Sequence, residues 1–106
     1  MNYTYKIKDN TVEVRLFREI DHHNARKVRE GIDQLIEGNM PRYLYLDLSE
    51  ITFCDSSGLG LVMGRMKKAA QYKTTLIIVD PSPAVSRILN IAGMDKLLKI
   101  VRKKVV

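Results

Sequence analysis

Tyr43-Leu44-Tyr45-Leu46-Asp47-Leu48 and Thr74-Thr75-Leu76-Ile77-Ile78-Val79 are short, apolar and rich in aromatic and β-branched residues, which is the composition of central strands. Between them, Leu59, Leu61, Val62, Met63, Met66 and Ala70 recur at helical spacing, with Arg65, Lys67, Lys68 and Lys73 expected largely on the opposite face and the helix ending near Tyr72. Strand, helix and strand within 40 residues form a βαβ unit, and such a crossover makes the two strands parallel. The stretch from Ser49 to Asp55 reads as a loop joining strand to helix.

The flanking sequence extends this unit in both directions. Upstream, the alternating runs Tyr3–Lys8 and Thr11–Phe17 are joined by Asp9-Asn10, two residues that tolerate positive φ, and predict a β-hairpin. Ala25, Val28, Ile32, Leu35 and Ile36 then mark an amphipathic helix from Asn24 to Glu37, stopped by Gly38-Asn39. Downstream, Asp80-Pro81-Ser82-Pro83 breaks the chain, and Ser82 can cap a third helix in which Pro83 suits the first turn. Val85, Ile88, Leu89 and Ile91 form its buried stripe, and Gly93 ends it. A last short strand falls at Leu97–Val101. The order β-β-α-β-α-β-α-β predicts an α/β fold with a mixed, mostly parallel sheet of four to five strands, amphipathic helices and an N-terminal hairpin.

At 106 residues, the chain is the size of one domain, residues 1–106, and its 45% hydrophobic and 28% charged content is that of a folding sequence. It holds no run of roughly 20 apolar residues and no signal-like N-terminus, so a cytoplasmic protein without a membrane partner is expected. One cysteine, Cys54, excludes an internal disulfide and reads as a small buried hydrophobe. The net charge of +6 is one-sided: residues 1–53 hold 8 basic and 9 acidic side chains, residues 54–106 hold 10 and 3. A basic chain invites a nucleic-acid reading, but the tail Lys96, Lys99, Arg102, Lys103, Lys104 has no interleaved aromatics and no binding motif accompanies it, so no stable nucleic-acid complex is expected.

Chemistry concentrates in Asp55-Ser56-Ser57-Gly58-Leu59-Gly60, between strand and helix. A helix start offers free N–H groups and a positive dipole end, so a serine there is exposed and compatible with an added phosphate. In the plainer reading, Asp55 or Ser56 is an N-cap and Gly58 a packing residue. A nucleophilic serine with His22 or His23 as base is disfavoured, since the G-x-S-x-G elbow is missing, and no phosphate-cradling glycine motif follows a strand. Asp21, His22 and His23 precede the first helix, but adjacent histidines lack the i, i+4 spacing of metal ligands, so no metal and no cofactor are expected.

Four stretches together, Glu19-Ile20-Asp21-His22-His23, Asp47-Leu48, Phe53 to Gly60, and Ser82-Pro83-Ala84-Val85-Ser86-Arg87 with Ala92-Gly93-Met94, resemble the STAS-domain anti-sigma factor antagonists, most of all their sporulation branch. Thr52-Phe53-Cys54 departs from the family's commoner Ser-Phe-Met. The resemblance implies a non-enzymatic regulator that, unphosphorylated, binds an anti-sigma factor that is also a serine kinase and so releases a sporulation sigma factor. It also implies inactivation by phosphorylation of Ser56, reversed by a serine phosphatase. By the same resemblance Asp21, His22, His23, Asp55, Ser57, Gly58 and Leu59 form the partner-binding surface of a monomer. The alternative is a STAS scaffold domain of a transporter or signalling complex that is not phosphorylated.

Overall fold

The strand that begins at Tyr43 does not stop at Leu48. In the computed structural model, which describes residues 3–103, it runs from Tyr43 to Cys54 as β3. The segment read as a loop is therefore strand as far as Cys54, leaving only Asp55 outside it, and its partner explains why. β2 (Thr11–Ile20) likewise outruns its apolar alternation and pairs in parallel with β3 as far as Ile20 against Cys54. The polar Ser49, Glu50 and Thr52 that disguise it belong to a two-stranded extension beyond the end of β4 (Thr75–Val79), whose pairing with β3 ends at Asp47 against Val79. Two register shifts, between Arg15 and Phe17 and between Arg18 and Glu19, mark bulges where this ribbon leaves the sheet, and Arg18 takes φ 70° there.

β1 (Tyr3–Lys8) pairs antiparallel with β2 through the two-residue turn at Asp9-Asn10, where Asp9 has φ 54°. β5 (Lys99–Val101) pairs in parallel with β4, so the sheet holds five strands in the order β1-β2-β3-β4-β5. The last strand is shorter than read: Leu97 precedes it and is exposed.

The helices are α1 (Ala25–Asn39), α2 (Ser56–Gln71) and α3 (Pro83–Ile91), followed by a short 3₁₀ turn at Met94–Lys96. Each connects neighbouring parallel strands, and since such crossovers share one hand, all three helices lie on one face, α1 against α2 and α2 against α3. The core is the layer between: Val12, Val14 and Leu16, Leu44, Leu46 and Leu48, and Ile78 from the strands, with Ile32, Ile36, Val62, Val85 and Leu89 from the helices. The strict alternation in β2 and the first half of β3 puts the intervening residues on the helix-free face.

Three local expectations change. The stop of α1 is not Gly38, which is helical, but Met40 in the left-handed region (φ 45°), whose N–H donates to the Ile36 carbonyl at 2.8 Å, while the Asn39 side chain donates to the Leu35 carbonyl. Ile91 is not in the buried stripe of α3 but 78% exposed, because two residues beyond the buried Leu89 it falls on the opposite side of the helix. Arg65 is not on the solvent face of α2. It is 5% exposed, and its Nε lies 2.9 Å from Oδ1 of Asp33 on α1.

Candidate functional site

Parallel strands bring their C-terminal ends to one edge of a sheet, where ligand-binding crevices of open α/β folds form. The β2–α1 and β3–α2 connections meet at that edge because β2 and β3 end side by side, and the Asp55 N–H donates to the Ile20 carbonyl at 3.3 Å. The phosphoacceptor candidate and the Asp-His-His segment, 33 residues apart in sequence, are thus neighbours.

The turn at Asp55 is built by capping. Asp55 is extended (φ −103°, ψ −167°), and its Oδ1 accepts the Ser57 N–H at 2.7 Å, which makes Asp55 rather than Ser56 the N-cap of α2. Ser56 is the first helical residue, and it is exposed. Gly58 is buried because α2 starts close against the sheet: a Cβ there would overlap Sγ of Cys54 and lie 3.4 Å from Cγ2 of Ile20. Burial, and after it the charge of Asp55, push the Cys54 thiol up to about 11, so it is an inert packing group at neutral pH.

The neighbouring turn is held as tightly. Asp21 Oδ1 accepts the N–H groups of His23 (2.9 Å) and Asn24 (3.1 Å), and Asn24 Oδ1 accepts the Asp21 N–H in return at 3.1 Å. The Asn24 amide also donates to the Glu19 carbonyl at 2.6 Å. This reciprocal bonding within the turn leaves both histidines exposed with their rings 5.9 Å apart, edge to face. The Asp21 carboxylate is engaged with backbone, and among the described residues no group of three or more His, Cys, Asp or Glu is arranged to hold a metal ion.

Between the two turns and along α1 and α2 lies an open groove of about 610 Å³. His22, His23 and Ser57 line it, as the sequence reading grouped them, and Leu61 and Gly60 close its α2 side. Gly58 and Leu59 lie deeper: the first is buried and the second packs against the core. The groove also has two residues that the sequence reading passed over, Arg26 and Arg29 of α1. Their spacing of three on a helix put them on one face and was the signal available for them.

Away from this edge, Asp47 lies on the helix-free face in a pocket of about 170 Å³, where its Oδ2 is 2.6 Å from Lys103 Nζ and 3.3 Å from Arg15 Nε, and its Oδ1 accepts from the Ser49 N–H and hydroxyl. Lys104 of the basic tail lies outside the described residues. No helix among the described residues is long and apolar enough to cross a membrane.

Residues 2–105 match the STAS domain family. The chain is 37% identical over 87 residues to the anti-sigma F factor antagonist of Paenibacillus polymyxa, covering 82% of this chain and 74% of that one. It is 30% identical over 105 residues to the anti-sigma-B factor antagonist of Listeria monocytogenes, covering 94% and 90%. Its fold superposes on the anti-sigma factor antagonist SpoIIAA in its unphosphorylated form with a TM-score of 0.83 at 28% identity, over 96% of this chain and 88% of that one. The phosphorylated form of Bacillus SpoIIAA gives a TM-score of 0.76 at 27% identity, over 96% and 91%.

Proposed function

The chain belongs to the STAS domain family, and on that premise we propose that it is an anti-sigma factor antagonist of the sporulation type, switched by phosphorylation of Ser56. The role follows the names its relatives carry, and identity is higher to the anti-sigma F antagonists than to the anti-sigma-B antagonists. The observation that carries the switch is the exposed Ser56 at the first position of α2, between an Asp55 carboxylate engaged in capping and a Gly58 engaged in close packing.

In this reading the unmodified chain docks on an anti-sigma factor that is also a serine kinase, and its sigma factor is released. Phosphoryl transfer needs Mg-ATP, a base and groups that neutralise developing charge. The kinase supplies them, and this chain presents a hydroxyl on a rigid turn. The kinase-facing surface comprises Asp21, His22, His23, Asp55, Ser57, Gly58 and Leu59, the last two mainly by shaping the turn. A serine phosphatase restores the free hydroxyl, and the regulator acts as a monomer in the cytoplasm.

The phosphate brings about −1.5 to −2 charges at pH 7. The free N–H groups of α2 favour it in the isolated chain, so the modification leaves the domain folded. Facing one partner carboxylate at about 6 Å with an effective dielectric of about 20, it is repelled by roughly 4 to 6 kcal/mol before screening. Half of that weakens binding on the order of tenfold to a hundredfold.

The test is intact mass and peptide mapping after incubation with the cognate anti-sigma factor serine kinase and Mg-ATP. One phosphate on the Ser56 peptide, absent from Ser56→Ala, is expected. Stoichiometric phosphate on Ser56→Ala refutes the site. No phosphate on the wild type, with a stable complex still formed, favours the scaffold alternative.

A further inference from the structure

The groove between α1 and α2 carries charge of one sign. Its charged lining residues are Arg26 and Arg29, beside His22 and His23, and among the described residues no carboxylate lines it. The carboxylates nearest on α1 are already engaged: Glu30 Oε1 lies 3.2 Å from Arg26 Nε, an exposed pair that holds its cation weakly, and Asp33 faces the buried Arg65. Arg29 has no carboxylate oxygen within 4.0 Å among the described residues.

One turn beyond Leu61 on α2, the buried Arg65 is paired with Asp33 but incompletely hydrogen-bonded. Arg65 Nη1 is buried without a hydrogen-bond partner among the described residues, and the 2.9 Å approach of Nε to Asp33 Oδ1 is too bent to count as one. Arg29 is close enough to Arg65 for the two charges to repel. An anion seated beside Arg29 offsets part of that repulsion.

Size and position narrow the occupant. About 610 Å³ accommodates one or two side chains of a protein partner. Ser57 and Gly60 form part of the wall, so whatever docks there lies within a turn of Ser56. We infer that the groove seats acidic side chains of the kinase that modifies Ser56, with Arg29 as the principal and Arg26 as the secondary residue determining partner choice. The inference rests on the proposed function. It also deepens it, because carboxylates seated there face the new phosphate and are repelled by it, which turns the groove from an attachment point into part of the release.

The experiment has two arms on the full chain. In the first, a hexaglutamate peptide is titrated into the ¹⁵N-labelled protein at low salt. Amide shifts confined to residues 22–29 and 57–61, and lost in the Arg26→Glu/Arg29→Glu double variant, are expected. Shifts centred instead on Lys96, Lys99 and Lys103 overturn the proposal. In the second, affinity for the cognate kinase is measured at low and moderate salt. The double variant is expected to bind at least tenfold more weakly at low salt and to lose much of the salt dependence, while Arg42→Glu, at the opposite end of β3, stays within twofold of wild type. Arg29→Gln, the milder change, falls between.

Equal affinity of wild type and double variant overturns the proposal. So does an Arg29-dependent ³¹P shift in the phosphorylated chain accompanied by loss of peptide binding, which assigns the groove to the chain's own phosphate. Peptide binding in the groove by a wild type that neither binds the kinase nor accepts phosphate overturns the functional reading and the assigned partner together, leaving acidic-peptide recognition as a property of the groove itself.

Discussion

The carboxylate of Asp55 accepts the N–H of Ser57 across a 2.7 Å bond, and the residue it spans, Ser56, is left facing solvent. One capping contact therefore both starts α2 and presents the hydroxyl.

Asp55→Ala removes that cap and is expected to cost about 1 kcal/mol. For a domain of this size the thermal midpoint falls by roughly 4–8 °C. Asp55→Asn keeps an acceptor and recovers most of the loss. Thermal unfolding of the three proteins under one buffer checks the order.

Gly58→Ala inserts a methyl into the contact with Cys54 Sγ. A cost of about 1–3 kcal/mol is expected. Adding Cys54→Ala to it removes the sulfur and restores part of the stability, so the two substitutions are non-additive in urea unfolding. Additive losses would mean that the close approach is not what requires the glycine.

Asp33→Ala leaves Arg65 buried without its counter-charge, and a loss of about 2–4 kcal/mol is expected, somewhat below the usual range because the Asp33 side chain is partly exposed. Replacing both, as Asp33→Leu with Arg65→Met, is expected to be far less damaging than either single change. Urea midpoints of the four proteins test this directly.

Burial raises the Asp47 carboxyl, but the hydrogen bonds from Lys103 and Ser49 outweigh it, and the group titrates below its ordinary value. A lowered folded-state pKa contributes stability that is present above the unfolded value, near 3.9, and is lost as pH falls through the folded one. Asp47→Asn is therefore expected to destabilise at pH 7 and to lose much less relative to wild type at pH 2–3. Unfolding free energies at the two pH values check the sign.

Much of this was readable from residue order. The hairpin at Asp9-Asn10, the Ser82 cap, whose hydroxyl accepts the Val85 N–H at 3.4 Å, and the helix of residues 56–71 are local events, governed by turn chemistry and apolar spacing. The second half of β3 was not readable, since Ser49, Glu50 and Thr52 are polar and their strand exists only because β2 runs beside them beyond the end of β4. Arg65 was misplaced for a similar reason: a charge within an amphipathic pattern reads as solvent-facing, and its counter-ion lies on a different helix.

The sequence by itself determined the succession of elements and that a cap at Asp55 or Ser56 starts α2, because those depend on neighbours within four positions in the chain, while the structure chose Asp55 and so exposed Ser56. The tertiary structure decided which turns meet at the edge of the sheet and that Arg26 and Arg29 stand across from Ser57 and Gly60. Those relations follow from parallel crossovers that stack α1 on α2, a pairing across some 30 residues that no local propensity encodes.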